Sequence, residues 1–437
     1  MNKVLKNASW IIGCKIVQSM LNLVISMISA RYLGPSNYGL INYASSVIAF
    51  VVPIMQLGFT KTIIQEFIER PDEEGKTLGT AYVFNMISAL ACMVGVYAFF
   101  NIANVGETET IIVGVLYSIS LLFNATEIVN YWFQAKLMSK YPSITSLIAY
   151  VVVAGYKIFL LVTGKSVRWF AVSNSIDYLV VSVILLVIYN KFSTQKLGFS
   201  FKIGKKMLSR SKHYIVSCMM VTVFAQTDKI MLKMMIDETQ VGFYSSAVVC
   251  AGVTAFIFTA IEDSMRPTIL EAKSGDPKIY EHRMITLYSV VTWLSLAQSL
   301  VMTILAKPLV LLLYGSAYLE AVNPLRIVVW YTTFSYYGTV RNIWILAEGK
   351  QKYLWIINLS GALANVALNA ILIPICGTIG AAIASLFTQF FTNVFIGFIM
   401  KPIRYNNTLM LKGLNPAPLI GFTKSTISSI QSKLHSK

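Results

Sequence analysis

Charge is what this 437-residue sequence has least of. Lys, Arg, Asp and Glu make up 13% of it against 56% hydrophobic residues, a balance that no soluble globular domain needs for its core. Acid is the scarcer sign, with 19 Asp and Glu against 36 Lys and Arg. The three histidines, His213, His282 and His435, form no H-E-x-x-H pair, and neither a G-x-S-x-G elbow nor a G-x-x-x-x-G-K-[ST] loop occurs. The usual zinc-protease, serine-hydrolase and ATP-hydrolysing readings are thereby excluded. Cys14, Cys92, Cys218, Cys250 and Cys376 fall singly in apolar stretches, so neither a disulfide framework nor a metal site is expected. No long polar loop could house a glycosyltransferase site. Together these absences argue against an enzyme and for a transporter driven by a gradient or by its own substrate, with no cofactor.

What the sequence has instead is apolar length. Windows near 8–30, 40–65, 78–101, 109–134, 142–163, 169–190, 213–236, 241–265, 285–314, 323–347, 353–375 and 378–400 each supply the ~20 apolar residues that a membrane helix needs. Spans of that length exclude an outer-membrane barrel built of ~10-residue alternating strands. The expected fold is an all-α integral membrane protein with about 12 transmembrane helices. The formal net charge of +17 raises the question of nucleic acid, but the basic residues sit in alternate loops. Lys3, Lys6, Arg70, Lys76, Lys136, Lys140, the run from Lys191 to Lys212, Arg266, Lys273, Lys350 and Lys352 fall on one side, and few fall on the other. The positive-inside rule then places both termini in the cytoplasm. The N-terminal MNKVLKNASWIIGCKIV has no A-x-A site after it and reads as an uncleaved first helix.

The longest polar interruption, NKFSTQKLGFSFKIGKKMLSRSKH, divides the helices six and six. The expected organisation is a six-helix lobe over 1–190, a basic cytoplasmic linker over 191–212, a second six-helix lobe over 213–402 and a basic tail over 403–437. The linker reads as a solvated positive-inside loop or as a stretch lying on the anionic leaflet. A short echo, SNYGLINYASSV against TQVGFYSSAVV, puts Gly39 and Gly242 in corresponding places of the two halves, as inverted-repeat transporters do.

An ionisable group at the bilayer centre costs roughly 2.5–3.5 kcal/mol, so those present should face a cavity or a partner. In the first window Lys15, Gln18 and Asn22 recur at three- and four-residue spacing on one face. The second offers Asn42 and Gln56, the fourth Asn124 and Glu127, the fifth Lys157, and the sixth Asn174 and Asp177. In QTDKIMLKMM, residues 226–235, Gln226, Lys229 and Lys233 share one helical face while Asp228 points away. That face needs hydration or an anion such as phosphate, unless Lys233 snorkels outward beside Asp237. Glu262, Asp263 and Arg266 read as an interfacial cluster. Arg341 has Tyr337 and Glu348 on its face, and a membrane arginine is well suited to grip phosphate oxygens.

At RYLGPSNYG, residues 31–39, the sequence resembles the polysaccharide-exporter (Wzx-like) flippases, in the superfamily that also holds MATE and lipid II transporters. Arg31, Gly34, Pro35, Tyr38 and Gly39 match the R-x-L-G-P-x-x-Y-G turn. DKIMLKMMIDETQVGFYSSA, LLYGSAY and NVALNAILIPICGTIGAAIAS continue the resemblance in order along the chain. It implies two six-helix lobes in a V that opens alternately to each face. It also implies a substrate, an undecaprenyl-pyrophosphate-linked oligosaccharide repeat unit for O-antigen, capsule or related lipopolysaccharide assembly. That unit would be moved between leaflets of a bacterial cytoplasmic (inner) membrane with H+ or Na+ as coupling ion, and a polymerase and chain-length regulator would be partners. On this view Lys15, Lys157, Lys229 and Arg341 would receive the pyrophosphate. Gln18, Asn22, Asn42, Asn124, Asn174 and Tyr337 would contact sugar, and Glu127, Asp177 and Asp228 would serve as coupling groups or counterions. A MATE-type cation exporter shares the fold but would favour an acidic cavity, and a membrane polysaccharide polymerase would carry a large extracytoplasmic loop. A lipid II flippase would carry two further helices.

Overall fold

The computed structural model describes residues 2–421, with the side chains of residues 2–12, 15, 16, 61, 213 and 217 outside the description. Of the tail expected over 403–437, residues 422–437 lie outside the described residues. Helices joined by short turns account for the described chain, with no strand among the described residues. In order they are α1 (Asn2–Met55), α2 (Ile63–Glu69), α3 (Glu74–Ala103), α4 (Thr108–Ser118), α5 (Ser120–Asn124), α6 (Ile128–Ala135), α7 (Lys140–Val162) and α8 (Val167–Phe192). There follow α9 (Phe201–Met235), α10 (Glu238–Ala251), α11 (Ala255–Lys273), α12 (Pro277–Leu313), α13 (Val322–Ala347), α14 (Leu354–Phe390), α15 (Ile396–Ile399) and α16 (Arg404–Lys412).

Nine helical segments among the described residues are long and apolar enough to cross a membrane. The sequence windows divide the chain more finely, for physical reasons. Val17–Met55 and Gln351–Ile399 run 39 and 49 residues, and each is interrupted by a glycine in non-helical backbone. Gly34 has φ 72° and ψ 172°, and Gly377 has φ 57° and ψ −134°. Gly34 sits in a region of backbone space that is essentially restricted to glycine, and an added Cβ there would meet nothing within 4 Å. Backbone conformation, not crowding, therefore requires this glycine. Pro35 follows at the first position of the new helical run, where its fixed φ fits and its missing N–H costs nothing. α13, a 26-residue helix, is not among the nine, because tyrosines, threonines and two arginines dilute its apolar residues.

The chain divides into two compact units, Met1–Ser245 and Ser246–Lys437. In the first, Phe59, Ile63, Leu78, Phe133 and Met207 close a core around Trp132. The indole N–H of Trp132 donates to Glu74 Oε2 at 3.0 Å, and Lys136 pairs with the other carboxylate oxygen. The basic stretch between the halves is ordered in two parts. Residues 193–200 are held against the start of α3, with Gly198 N–H donating to Gly75 O at 3.1 Å and Gly75 N–H to Gln195 Oε1 at 2.9 Å. From Phe201 onward the stretch is the first part of α9, where Arg210 reaches Glu66 at 2.5 Å and Glu69 at 2.9 Å. In the second unit Tyr288, Tyr337, Trp344, Ile357 and Met410 form the core.

The echo between Gly39 and Gly242 is a contact. A Cβ on Gly39 would stand 1.7 Å from the backbone oxygen of Glu238, and one on Gly242 would stand 2.0 Å from that of Pro35. Each glycine meets the residue four positions before the other, so the two segments cross reciprocally, backbone on backbone. Lys233, 7% exposed, lies at this crossing and pairs with Glu107 at 2.7 Å and Glu238 at 2.8 Å. Ser36 donates to the remaining oxygen of Glu238 at 3.1 Å. The snorkelling expected for Lys233 beside Asp237 does not occur, because two carboxylates meet it on the spot. Burial pushes the Glu107 carboxyl up, but Lys233 and the Thr110 hydroxyl together outweigh it and hold Glu107 below its ordinary range.

Two measurements follow from this crossing. Gly39→Ala and Gly242→Ala should each cost about 1–3 kcal/mol as overpacked sites, read as loss of thermal stability in detergent. The double variant should cost clearly less than the sum, because both methyls force apart one contact; full additivity would contradict the reciprocal crossing. A carboxyl whose folded pKa is depressed stabilises above its unfolded pKa, near 4.3 for glutamate, and loses that contribution as pH falls through the folded value. Thermal stability should therefore fall on acidification below about pH 4.3, and Lys233→Met should flatten that part of the profile.

Candidate functional site

The first unit holds a cavity of about 260 Å³ lined by polar groups from four directions, among them Ser45, Tyr117, Ser120, Asn124, Asn174 and Tyr178. Local backbone bonding explains how these groups reach it. The fourth apolar window does not form one continuous helix but breaks into α4, α5, a 3-10 turn over Ala125–Glu127 and α6. At the break Ser118 and Ser120 donate to the carbonyls of Val115 and Tyr117, each at 2.7 Å. Such side-chain bonding competes with the regular ladder. The break turns Asn124 into the cavity and sets Glu127 beside it. Gln56 donates to Asn124 Oδ1 at 3.3 Å and reaches Glu127 Oε2 at 3.5 Å. The Tyr178 hydroxyl has Asn124 as a polar neighbour, and the Tyr117 hydroxyl has Ser45.

Asp177 stands one turn beyond Asn174 on α8. Lys157, on the neighbouring α7, is the cation that acts on it, and Glu127, Tyr117 and Tyr150 also feel its charge. Five expected site residues, Asn124, Glu127, Lys157, Asn174 and Asp177, thus belong to one region of the first unit. Tyr117, Tyr150 and Tyr178 belong to it too and were missed by the sequence reading. Their signal was present, since Tyr117 and Asn124 are seven residues apart and Asn174 and Tyr178 four. In a chain with 23 tyrosines, that spacing does not discriminate.

Other candidates lie elsewhere or are already engaged. The side chain of Lys15 lies outside the described residues. Gln18 is half-buried and Asn22 exposed on α1. Asn42 donates to its own helix at Tyr38 O, 2.8 Å away. Asp228 is buried and accepts from the Tyr244 hydroxyl, which ties the two ends of the D-K to G-F-Y-S motif together. Lys229 is half-buried, and Asp228 is the charge that acts on it. Of the remaining motif residues, Tyr38 is buried with its hydroxyl 2.9 Å from Ser26 Oγ across the Gly34 corner, and Arg31 is exposed.

Arg341 belongs to the second unit and is 5% exposed. Its guanidinium donates to the carbonyl of Thr392 at 2.6 Å and to Asn342 Oδ1 at 3.2 Å. Thr392 lies in a π-helical turn over Phe391–Phe395, a widened turn of the kind that recurs at functional sites. The Nε of Arg341 has no hydrogen-bond partner among the described residues. Glu348, expected on the same face, pairs instead with Lys273 at 2.5 Å. Tyr337 is buried and donates to Thr292 Oγ1 at 2.9 Å. Lys157 and Arg341 therefore sit in separate compact units, each within its own polar surroundings.

Comparison with known proteins bears on this arrangement in two ways. In fold, the chain is similar to a lipid II flippase MurJ in an inward closed conformation, at 16% identity with 92% of this chain and 90% of that one covered and a TM-score of 0.71. It is also similar to an inward-facing multidrug resistance MATE family transporter of the MOP superfamily, at 15% identity, 90% and 96% coverage and a TM-score of 0.67. In sequence, an uncharacterized membrane protein of Methanocaldococcus jannaschii is 23% identical over 245 residues, covering 53% of this chain and 48% of the relative. The chain thus spans about half the length of that relative. The family model described as polysaccharide biosynthesis protein matches residues 4–273, the part that contains the R-x-L-G-P turn, the polar cavity and the Gly39–Gly242 crossing. More than half of the 437 residues answer to that model, and the protein belongs to the polysaccharide biosynthesis family of multi-pass membrane proteins.

Proposed function

We propose that this protein is a flippase that carries an undecaprenyl-pyrophosphate-linked oligosaccharide repeat unit from the inner to the outer leaflet of the cytoplasmic membrane, for O-antigen, capsule or a related polymer. The observation that carries the reading is the amide- and hydroxyl-lined cavity beside Lys157 and Asp177, within helices otherwise suited to lipid. Amides and tyrosines offer sugar hydroxyls both donors and acceptors. A cavity near 260 Å³ is at the low end of the ~300–1,000 Å³ of small-ligand pockets, a size for one sugar ring and not for a whole repeat unit. Lys157, with Lys229 of the same unit, supplies cations for the pyrophosphate, and the polyprenyl tail stays in lipid. Asp177 balances Lys157 when no substrate is bound, and Glu127 is either a second counterion or a carrier of the coupling ion, H+ or Na+. Both termini are cytoplasmic on this reading, and a polymerase and a chain-length regulator act on the product.

A second reading, export of an organic cation, is favoured by the two carboxylates Glu127 and Asp177 at the same cavity. The sidedness of lipid-linked repeat units in cells lacking the protein separates the two. Accumulation on the cytoplasmic face, reversed by the wild type, is expected of the flippase; normal sidedness without a redundant flippase would favour cation export.

Within the flippase reading, Lys157→Met and Asp177→Asn should each reduce flipping about ten- to hundredfold, because each leaves a charge buried without its partner. The double variant should lose less than the two single losses multiplied together. Multiplicative losses would show that the two residues act independently. Glu127→Gln should leave ion dependence unchanged if Glu127 is a counterion, and ion dependence that vanishes would make it the carrier.

A further inference from the structure

α11 contains a buried acid that the proposed site does not use. Glu262 is 4% exposed, and its Oε1 has no hydrogen-bond partner among the described residues. The sequence pattern groups it with Asp263 and Arg266 at an interface, but Arg266, one turn away, pairs with the exposed Asp263 at 3.3 Å. Glu262 instead continues a stripe at four-residue spacing, Thr254, Phe258, Glu262, along the inner face of the helix. Phe258 stacks on Tyr336 of α13 with ring centres 3.9 Å apart. Beyond that stack the oxygens of Tyr336, Thr254 and Gln298 form a second group, each buried and with no hydrogen-bond partner of good geometry. Tyr336 has Thr254, Gln298 and Thr332 as its polar neighbours and feels the charge of Glu262. Gln298 spends its amide N–H on Ala251 O at 3.3 Å, which leaves its oxygen for the group.

We infer that Glu262 binds the proton that couples transport to a gradient. The inference rests on the flippase reading but places the coupling carboxyl in the second unit, whereas the polar cavity belongs to the first. The ionised form of a carboxyl in this position would have as its opposite charge only Arg266, one turn along and already paired with Asp263, and no donor at Oε1, so the packed state accommodates the neutral acid. The groups whose charge reaches Glu262 are Arg266 and Asp263 of its own helix and Tyr336 of α13; from α12, also packed against α11, Arg283 donates to the carbonyl of Thr268 and Tyr288 shares the core that holds Phe258. Release is simple deprotonation, with the carboxyl O–H bond breaking and the proton passing to water. It requires that water reach a side chain now enclosed. The helix is weak on both sides of Glu262, with a 3-10 turn over Gly252–Thr254 before it and Pro267, which donates no backbone hydrogen bond, after it. Opening at either point wets Glu262 from one direction. Tyr336, with Thr254 and Gln298, provides hydroxyl and amide groups on the inner side through which water can connect.

The test has two arms. In the full-length protein in detergent, the infrared carbonyl stretch of a protonated carboxyl should be present at neutral pH, fade on alkalinisation, be lost in Glu262→Gln and be indifferent to sodium. A band unaltered in Glu262→Gln, no titrating band in the wild type, or a band removed by sodium would each overturn the inference. In proteoliposomes, with a short-chain polyprenyl-pyrophosphate-linked sugar as probe, Glu262→Gln should keep gradient-free exchange between leaflets and lose stimulation by an imposed pH gradient. Loss of both with the fold intact would reduce Glu262 to a structural role. Tyr336→Phe, which keeps the stack on Phe258, should lower the stimulation several-fold without changing the exchange, and unchanged stimulation would remove Tyr336 from the path. Failure of the wild type to move the probe would overturn the substrate reading, while the infrared arm would still decide whether Glu262 holds a proton.

Discussion

A peptide group inside a bilayer has no water to bond to, so each must be satisfied within its own helix, and each departure from the helix must be made good locally. This constraint orders the whole molecule. Where the chain turns back, the turn uses backbone that glycine alone adopts without strain, as at Gly34 and Gly377. Where a helix is broken in mid-course, a polar group stands at the break. Asn124 and Glu127 flank the 3-10 turn between α5 and α6, Thr254 closes the one between α10 and α11, and the π-turn of Phe391–Phe395 presents the carbonyl that Arg341 takes. The polar groups of functional interest are therefore found where the regular ladder gives way.

Charges obey a parallel constraint, since a buried ion left without its partner costs far more than one exposed to water. Lys233 is met by two carboxylates and Lys136 by Glu74. Arg341 and Glu262 depart from the pattern, each buried in the second unit with no opposite charge in contact among the described residues. A guanidinium cannot shed its proton under ordinary conditions and so has taken a carbonyl; a carboxyl can be neutralised by gaining one. The same burial thus leaves one of them held by a carbonyl and the other without a donor at Oε1.

Spans, motifs and glycines were legible in the sequence because each is a local property. Apolar length specifies a membrane helix, and Gly34-Pro35 specifies a corner, wherever they occur. The two glycines of that motif nevertheless serve different ends, Gly34 for its φ and Gly39 for its missing Cβ, and the sequence gives no sign of the difference. Helical periodicity found Asn124, Glu127, Asn174 and Asp177 as members of faces, though not that those faces share a cavity. One of the two partners of Lys233 could not be read at all, since Glu107 lies 126 positions earlier and carries no pattern. The spacing groups Glu262 with Asp263 and Arg266 but does not show that Glu262 is buried while the other two pair with each other.

The net charge of +17 describes the loops and not the cavity. Among the described side chains of the membrane spans, Lys233 is neutralised by two acids, and Asp177 feels the charge of Lys157 while its own reaches Glu127. With all three ionised, the Lys157, Asp177 and Glu127 group carries one positive and two negative charges, a net of −1. One proton makes the group neutral, and two make it cationic. On the flippase reading a pyrophosphate would be accepted there in proportion to the protons that those two acids hold, and on the alternative reading an organic cation in inverse proportion. On the function proposed above, substrate sign would be set by a few protonation states at the cavity, and coupling by whether Glu262 can lose and regain its proton.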